Sequence, residues 1–143
     1  MSKQKKIMIV DDEAGIRNLL LDVLSGEDFK ITLAKDGQES IDKMKNHHFD
    51  LLITDLNMPR MNGIELLRAM KKKRRKEKII IMTGESFSRP FNRKDIPHVE
   101  TILKKPFHMK KLIETVVDTL YSGKKIKKLS KPNERRKKAV NVA

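Results

Sequence analysis

DLLITDLNMPRMNGIELL, residues 50–67, contains a strand, a loop and the start of a helix. Asp50 to Thr54 (DLLIT) reads as a buried run, too short for a helix and typical of a strand covered on both faces. Asp55 follows it. Beyond the loop, Ile64, Leu67 and Met70 share one face of a helix that runs out into KKKRRK, Lys71 to Lys76. The same alternation extends in both directions. Upstream, Ile7 to Val10 (IMIV) is another buried run and ends in Asp11 and Asp12. Ile16, Leu19, Leu20, Val23 and Leu24 then recur at helical spacing, with Gly26 where a C-terminal cap belongs. Phe29 to Ala34 reads as a second strand and Gln38 to His47 as a second helix, with Ile41 and Met44 inward. Downstream, Ile79 to Met82 gives a fourth strand and Thr101 to Leu103 a fifth. Met109 to Tyr121 gives a last helix with Leu112, Val116 and Leu120 inward. Apolar strands alternating with helices predict an α/β domain, a five-stranded doubly wound parallel sheet.

The composition fits one such domain. The chain has 143 residues, no cysteine and a formal net charge of +14. Without cysteine, disulfide scaffolds and thiolate metal sites are excluded. No apolar run is long enough to span a membrane, and MSKQKK is not followed by a signal-peptide core, so a cytoplasmic protein is expected. The charge is uneven: residues 1–123 hold 24 basic and 18 acidic side chains, and residues 124–143 hold 9 and 1. Residues 1–123 are therefore expected to form the domain and 124–143 a disordered basic tail, since Lys124 to Lys138 has Pro132, few apolar residues and no aromatic. The Lys71 to Lys76 block reads as a solvated helix end, where cations favour the negative pole of the helix.

In an open parallel sheet the ligand site lies beyond the carboxyl ends of the strands. Asp11, Asp12, Asp55, Thr83 and Lys105 all fall there. Crowded carboxylates repel one another, and a hard divalent cation with oxygen ligands relieves that repulsion; Mg²⁺ suits carboxylates, waters and a phosphate. An ammonium and a hydroxyl nearby can hold phosphoryl oxygens. The set points to phosphoryl transfer onto an aspartate. His47, His48, His98 and His108 match no carboxylate cluster and are expected at the surface. The eight methionines are read as core filler, with Met58 and Met61 belonging to the loop motif.

Asp11 with Asp12, the segment Asp55 to Leu67, Thr83 with Gly84, and Lys105-Pro106-Phe107 together resemble the receiver domain of two-component response regulators, across residues 5–121. The resemblance implies a flavodoxin-like fold with Asp55 as phospho-acceptor from a sensor histidine kinase or phosphotransfer protein. It implies Mg²⁺ bound directly by Asp12, through water by Asp11, and by Asp55 and the Asn57 backbone carbonyl. Thr83 becomes the switch hydroxyl and Lys105, rather than Lys104, the phosphoryl partner, because the family's lysine directly precedes the proline. The bond before Pro106 is then cis. Pro59 and Gly63 shape the loop after Asp55 and the following helix start. Asn57 and Glu85 occupy positions that tune hydrolysis of the aspartyl-phosphate, and the same pair occurs in the stand-alone chemotaxis receiver.

Two features depart from that family. Ser86 to Glu100 carries Pro90 and Pro97 and no good apolar stripe, so a shortened or irregular fourth helix is expected. Ile102 stands three before Lys105, where the family has an aromatic whose rotamer reports phosphorylation. The resulting expectation is a single-domain regulator that catalyses only its own phosphorylation and dephosphorylation and signals to a downstream protein. Two alternatives accompany it. One is a basic adaptor on a receiver scaffold, binding nucleic acid or anionic membrane through Lys124 to Lys138 and the Lys71 block. The other is a degenerate receiver that does not switch.

Overall fold

The computed structural model describes residues 4–58, 60–84, 93–121 and, for the backbone, 141–142. The chain runs β1 (Lys5–Val10), α1 (Ala14–Ser25), β2 (Phe29–Ala34), α2 (Gly37–Met44), β3 (Leu51–Asp55), α3 (Gly63–Lys72), β4 (Lys78–Thr83), β5 (Thr101–Lys104), β6 (Phe107–His108), α4 (Met109–Tyr121) and β7 (Asn141–Val142). Five strands form one sheet in the order β2-β1-β3-β4-β5, all parallel. The doubly wound sheet read from the apolar runs is therefore the fold of this chain.

Alternation along each strand divides the core into two layers. Ile7, Ile9, Leu51, Ile53, Ile80 and Met82 pack with Leu20 and Leu24 of α1 and Leu112 and Val116 of α4. On the other face, Met8, Val10, Leu52, Ile79 and Ile81 pack with Ile41 of α2 and with Leu66, Leu67 and Met70 of α3. Both faces being covered explains why the strands read as unbroken apolar runs.

Local chemistry fixes where the helices start. Asn62 and Glu65 form a reciprocal capping box at α3: Glu65 N–H donates to Asn62 Oδ1 at 2.9 Å, and Asn62 N–H donates to Glu65 Oε1 at 3.0 Å. Gly63 stands so close to the end of β3 that a Cβ would lie 2.5 Å from the Asp55 carbonyl oxygen and 2.8 Å from the Leu56 Cα. Asp36 caps α2, accepting from Glu39 N–H at 2.8 Å.

Strand ends differ slightly from the sequence reading. Asp55 is the last residue of β3 rather than the residue after it, while Thr83 ends β4 as read. Gly26 does cap α1, but at φ −70°, a conformation any residue adopts. Between β4 and β5 the described residues hold one 3-10 turn, Arg93–Asp95. Glu85 and the first half of the expected shortened fourth helix, residues 86–92, lie outside the described residues. So does the tail from Lys124 to Lys138, although Asn141 and Val142 pair antiparallel with His108 and Phe107. No helix among the described residues is long and apolar enough to cross a membrane.

Candidate functional site

After β1 the chain passes to one side of the sheet for β2 and to the other for β3, so a crevice opens between the carboxyl ends of β1 and β3. Asp11 and Asp12 leave β1 there, and Asp55 ends β3. The three side chains offer carboxylate oxygens that all lie within 4.8 Å of one another. Lys105, directly after the last residue of β4's neighbour β5, is held by its own N–H donating to the Thr83 carbonyl at 2.7 Å. Its Nζ donates to Asp11 Oδ2 at 3.2 Å and to Asp55 Oδ2 at 3.3 Å. The Lys105–Pro106 peptide is cis. Lys104, the other lysine at this edge, is exposed.

Backbone groups orient the carboxylates. Asp11 Oδ1 accepts from Glu13 N–H at 2.9 Å, and Asp55 Oδ1 accepts from Asn57 N–H at 3.2 Å. Each aspartate therefore has one oxygen fixed by the main chain and one facing the lysine. Arg17 donates to the Asp11 carbonyl at 2.7 Å, tying α1 to the same loop. Asp11 is fully buried, Asp55 nearly so, and Asp12 is exposed at the mouth. Thr83 is buried at the end of β4. Ile102 lies on the edge strand β5, 40% exposed. All four histidines are exposed.

Asp12, Asp55, Asn57 and Lys105 line an open cleft of about 620 Å³. Glu13 also lines it, which the sequence reading missed; the signal was its place directly after the Asp pair. Burial raises the Asp11 pKa above its usual 3.8, and the Asp55 charge adds to the rise against the Glu13 N–H and Lys105. For Lys105, burial alone lowers the pKa, but the facing charges of Asp11 and Asp55 outweigh it and raise the group above 10.5. The ammonium is thus retained at neutral pH, between two carboxylates. Three carboxylates against one ammonium leave a concentrated negative charge that a hard divalent cation neutralises.

Residues 7–117 match the model of the response regulator receiver domain. The chain belongs to this family. It is 30% identical over 119 residues to the response regulator receiver protein CpdR of Brucella abortus, covering 83% of this chain and 99% of that protein. It is 36% identical over 81 residues to the response regulator ArlR of Staphylococcus aureus, covering 57% of this chain but only 36% of that longer protein. Among solved structures, the response regulator TrrA of Thermotoga maritima, in complex with Mg²⁺-BeF, superposes with a TM-score of 0.72 at 32% identity. That match covers 81% of this chain and 99% of TrrA. Receiver domains of two-component systems bind Mg²⁺ at an aspartate cluster, and Asp11, Asp12 and Asp55 are grouped in this receiver.

Proposed function

We propose that this receiver accepts a phosphoryl group on Asp55 from a histidine kinase or phosphotransfer protein and signals by changing its affinity for a downstream protein. The observation that carries this reading is the Asp55 carboxylate, its Oδ2 beside the Lys105 ammonium at 3.3 Å and its neighbours Asp11 and Asp12 within one cation's reach. An Asp55 oxygen forms the new bond to phosphorus as the bond from phosphorus to the donor imidazole nitrogen breaks, and the electron pair leaves with the imidazole. Catalysis here is positioning and charge neutralisation. Lys105 pairs with one phosphoryl oxygen, and the Thr83 hydroxyl moves to bond another. Bound Mg²⁺, held by Asp11, Asp12, Asp55 and the Asn57 carbonyl, supplies further neutralisation of the transferring group. Asn57 and Glu85 set the lifetime of the acyl phosphate. Incubation with radiolabelled acetyl phosphate tests the reading: labelling is expected with Mg²⁺ and lost with EDTA, and a chain that takes no label with Mg²⁺ overturns it.

The same site makes stability depend jointly on Mg²⁺ and pH. Asp11 and Lys105 both have raised pKa values, so in each case the fold favours the protonated form. The stability that this lends is present below the group's unfolded pKa and is lost as pH rises through the folded one. For Asp11 that loss begins above 3.8, and once ionised its buried carboxylate opposes folding until Mg²⁺ offsets it. Added Mg²⁺ is expected to raise Tm near neutral pH. The increment shrinks as protons compete for Asp11, beginning at a higher pH than an ordinary aspartate near 3.8 allows. Thermal melts with and without Mg²⁺ from about pH 4 to about pH 8 measure it, and an increment flat across that range removes Asp11 from the cation site.

A further inference from the structure

At the opposite end of the sheet from the aspartates, where the strands begin, a second cleft of about 640 Å³ lies between β1, the β3 approach and the turn from α3 to β4. Six cationic side chains and two carboxylates line it. Both carboxylates are engaged: Glu77 is buried against Arg75, and Asp50 accepts from Lys6 N–H at 2.8 Å. Lys78 donates to the Thr119 carbonyl at 2.8 Å, and Lys5 sits over the Tyr121 ring, 5.5 Å from its centroid. The side chains of Lys73, Arg74 and Lys76 are exposed and take no partner among the described residues.

The turn that presents these three cations is rigidly built. Arg75 N–H donates to the Met70 carbonyl and Arg74 N–H to the Lys71 carbonyl, each at 2.9 Å, the paired bonds of a Schellman motif. The residue after the cap in that motif takes a left-handed conformation and is usually glycine. Here it is Arg74, at φ 56°. Arg75 then locks the turn from beneath, donating to the carbonyls of Met44 at 3.0 Å and His47 at 2.8 Å. A backbone position that favours glycine carries instead a guanidinium facing a cationic hollow. Strained residues of this kind concentrate where a ligand is held.

We propose that this cleft is an anion site for a short polyphosphate chain, either free or as the phosphates of a nucleotide, bound by Arg74 with Lys73 and Lys76. At roughly one to two charges per phosphoryl group, two or three linked groups match the surplus of four positive charges. Arg74 supplies a bidentate fork for one phosphoryl and the lysines point charges for the next. The cations converge on a hollow of small-ligand size rather than follow an extended groove, which favours a compact ligand over a nucleic-acid strand. Phe49, the aromatic at the cleft, is half-buried and packed into the core, so the phosphates rather than a base carry recognition.

Calorimetric titration of the full chain with sodium tripolyphosphate tests this, in Mg²⁺-free buffer at low ionic strength, so that the aspartate end cannot contribute. One saturable site is expected, weakening with added salt. Arg74→Gly is expected to weaken it at least tenfold, through loss of the guanidinium's bidentate hydrogen bonds, while raising Tm because glycine suits that backbone. The same variant keeps wild-type labelling from acetyl phosphate. ADP in a second titration assigns the source: tighter binding than tripolyphosphate indicates a nucleotide, weaker binding a free chain. Three results overturn the proposal. These are no saturable tripolyphosphate site, unchanged affinity in Arg74→Gly, or loss of binding on neutralising Arg135, Arg136, Lys137 and Lys138 with Arg74 intact. Saturable binding of duplex DNA without tripolyphosphate binding also rejects it, in favour of a surface that tracks nucleic acid.

Discussion

Asp55→Asn is expected to bring phosphoryl incorporation down to that of a heat-denatured control while leaving the fold intact. The substitution keeps the shape of the side chain and one oxygen able to accept from Asn57 N–H. It removes the carboxylate, and an amide cannot form the acyl phosphate. Among the described residues no other carboxylate stands in the same position. Asp11 is fully buried and Asp12 lies exposed at the mouth, so neither presents an oxygen with both shelter and access. Loss of one of three crowded negative charges also relieves repulsion, so Tm of the cation-free protein is not expected to fall. The measurement is acid-quenched, hydroxylamine-sensitive label in wild type and variant. Label persisting in the variant identifies a different acceptor and removes Asp55 from the role.

Arg75→Ala is expected to be the most damaging single change to stability outside the core, at about 3–5 kcal/mol. The Arg75 side chain is 15% exposed and that of Glu77 only 2%. Arg75 Nε donates to Glu77 Oε1 at 3.1 Å, while Glu77 Oε2 accepts from Phe49 N–H at 3.2 Å. Truncation strands a buried carboxylate and takes one donor from each of the Met44 and His47 carbonyls. Replacing both members with apolar residues of similar volume, Arg75→Met with Glu77→Leu, removes the stranded charge and is expected to recover most of the loss. Urea titration of the wild type, Arg75→Ala and the double variant measures it. A single-variant cost below about 1 kcal/mol places the pair with ordinary surface ion pairs instead.

The strand and helix pattern was legible because each layer of this fold writes a distinct period. The Phe29–Ala34 strand and the Met109–Tyr121 helix have the bounds their apolar spacing indicates. The acidic edge was legible for a related reason: once the strands are placed, topology gathers their carboxyl ends, and Asp11, Asp12, Asp55 and Lys105 come together without any long-range guess. Other features left no local trace. The KKKRRK run reads as a uniform solvated block, yet its six residues have different environments. Lys71 bonds the Lys94 carbonyl, Arg74 turns left-handed and Arg75 is buried. Those differences arise from contacts with Met44, His47 and Glu77, residues distant or unremarkable in sequence. Glu13 was passed over because it ends no strand; only the turn that follows Asp11 brings it to the cleft.

Gly63 gives the end of β3 a mechanical connection to the rest of the molecule. With no side chain between them, the first turn of α3 rests directly on the main chain of Asp55 and Leu56, and Gly63 N–H donates to the Leu56 carbonyl at 2.9 Å. Packed interiors compress little, so displacement at the end of β3 passes to the helix instead of being absorbed by a rotamer change. The helix is ten residues long, a strut of about 15 Å. Its far end carries the turn locked by Arg75, so movement at the aspartate and the attitude of Arg74 belong to one lever.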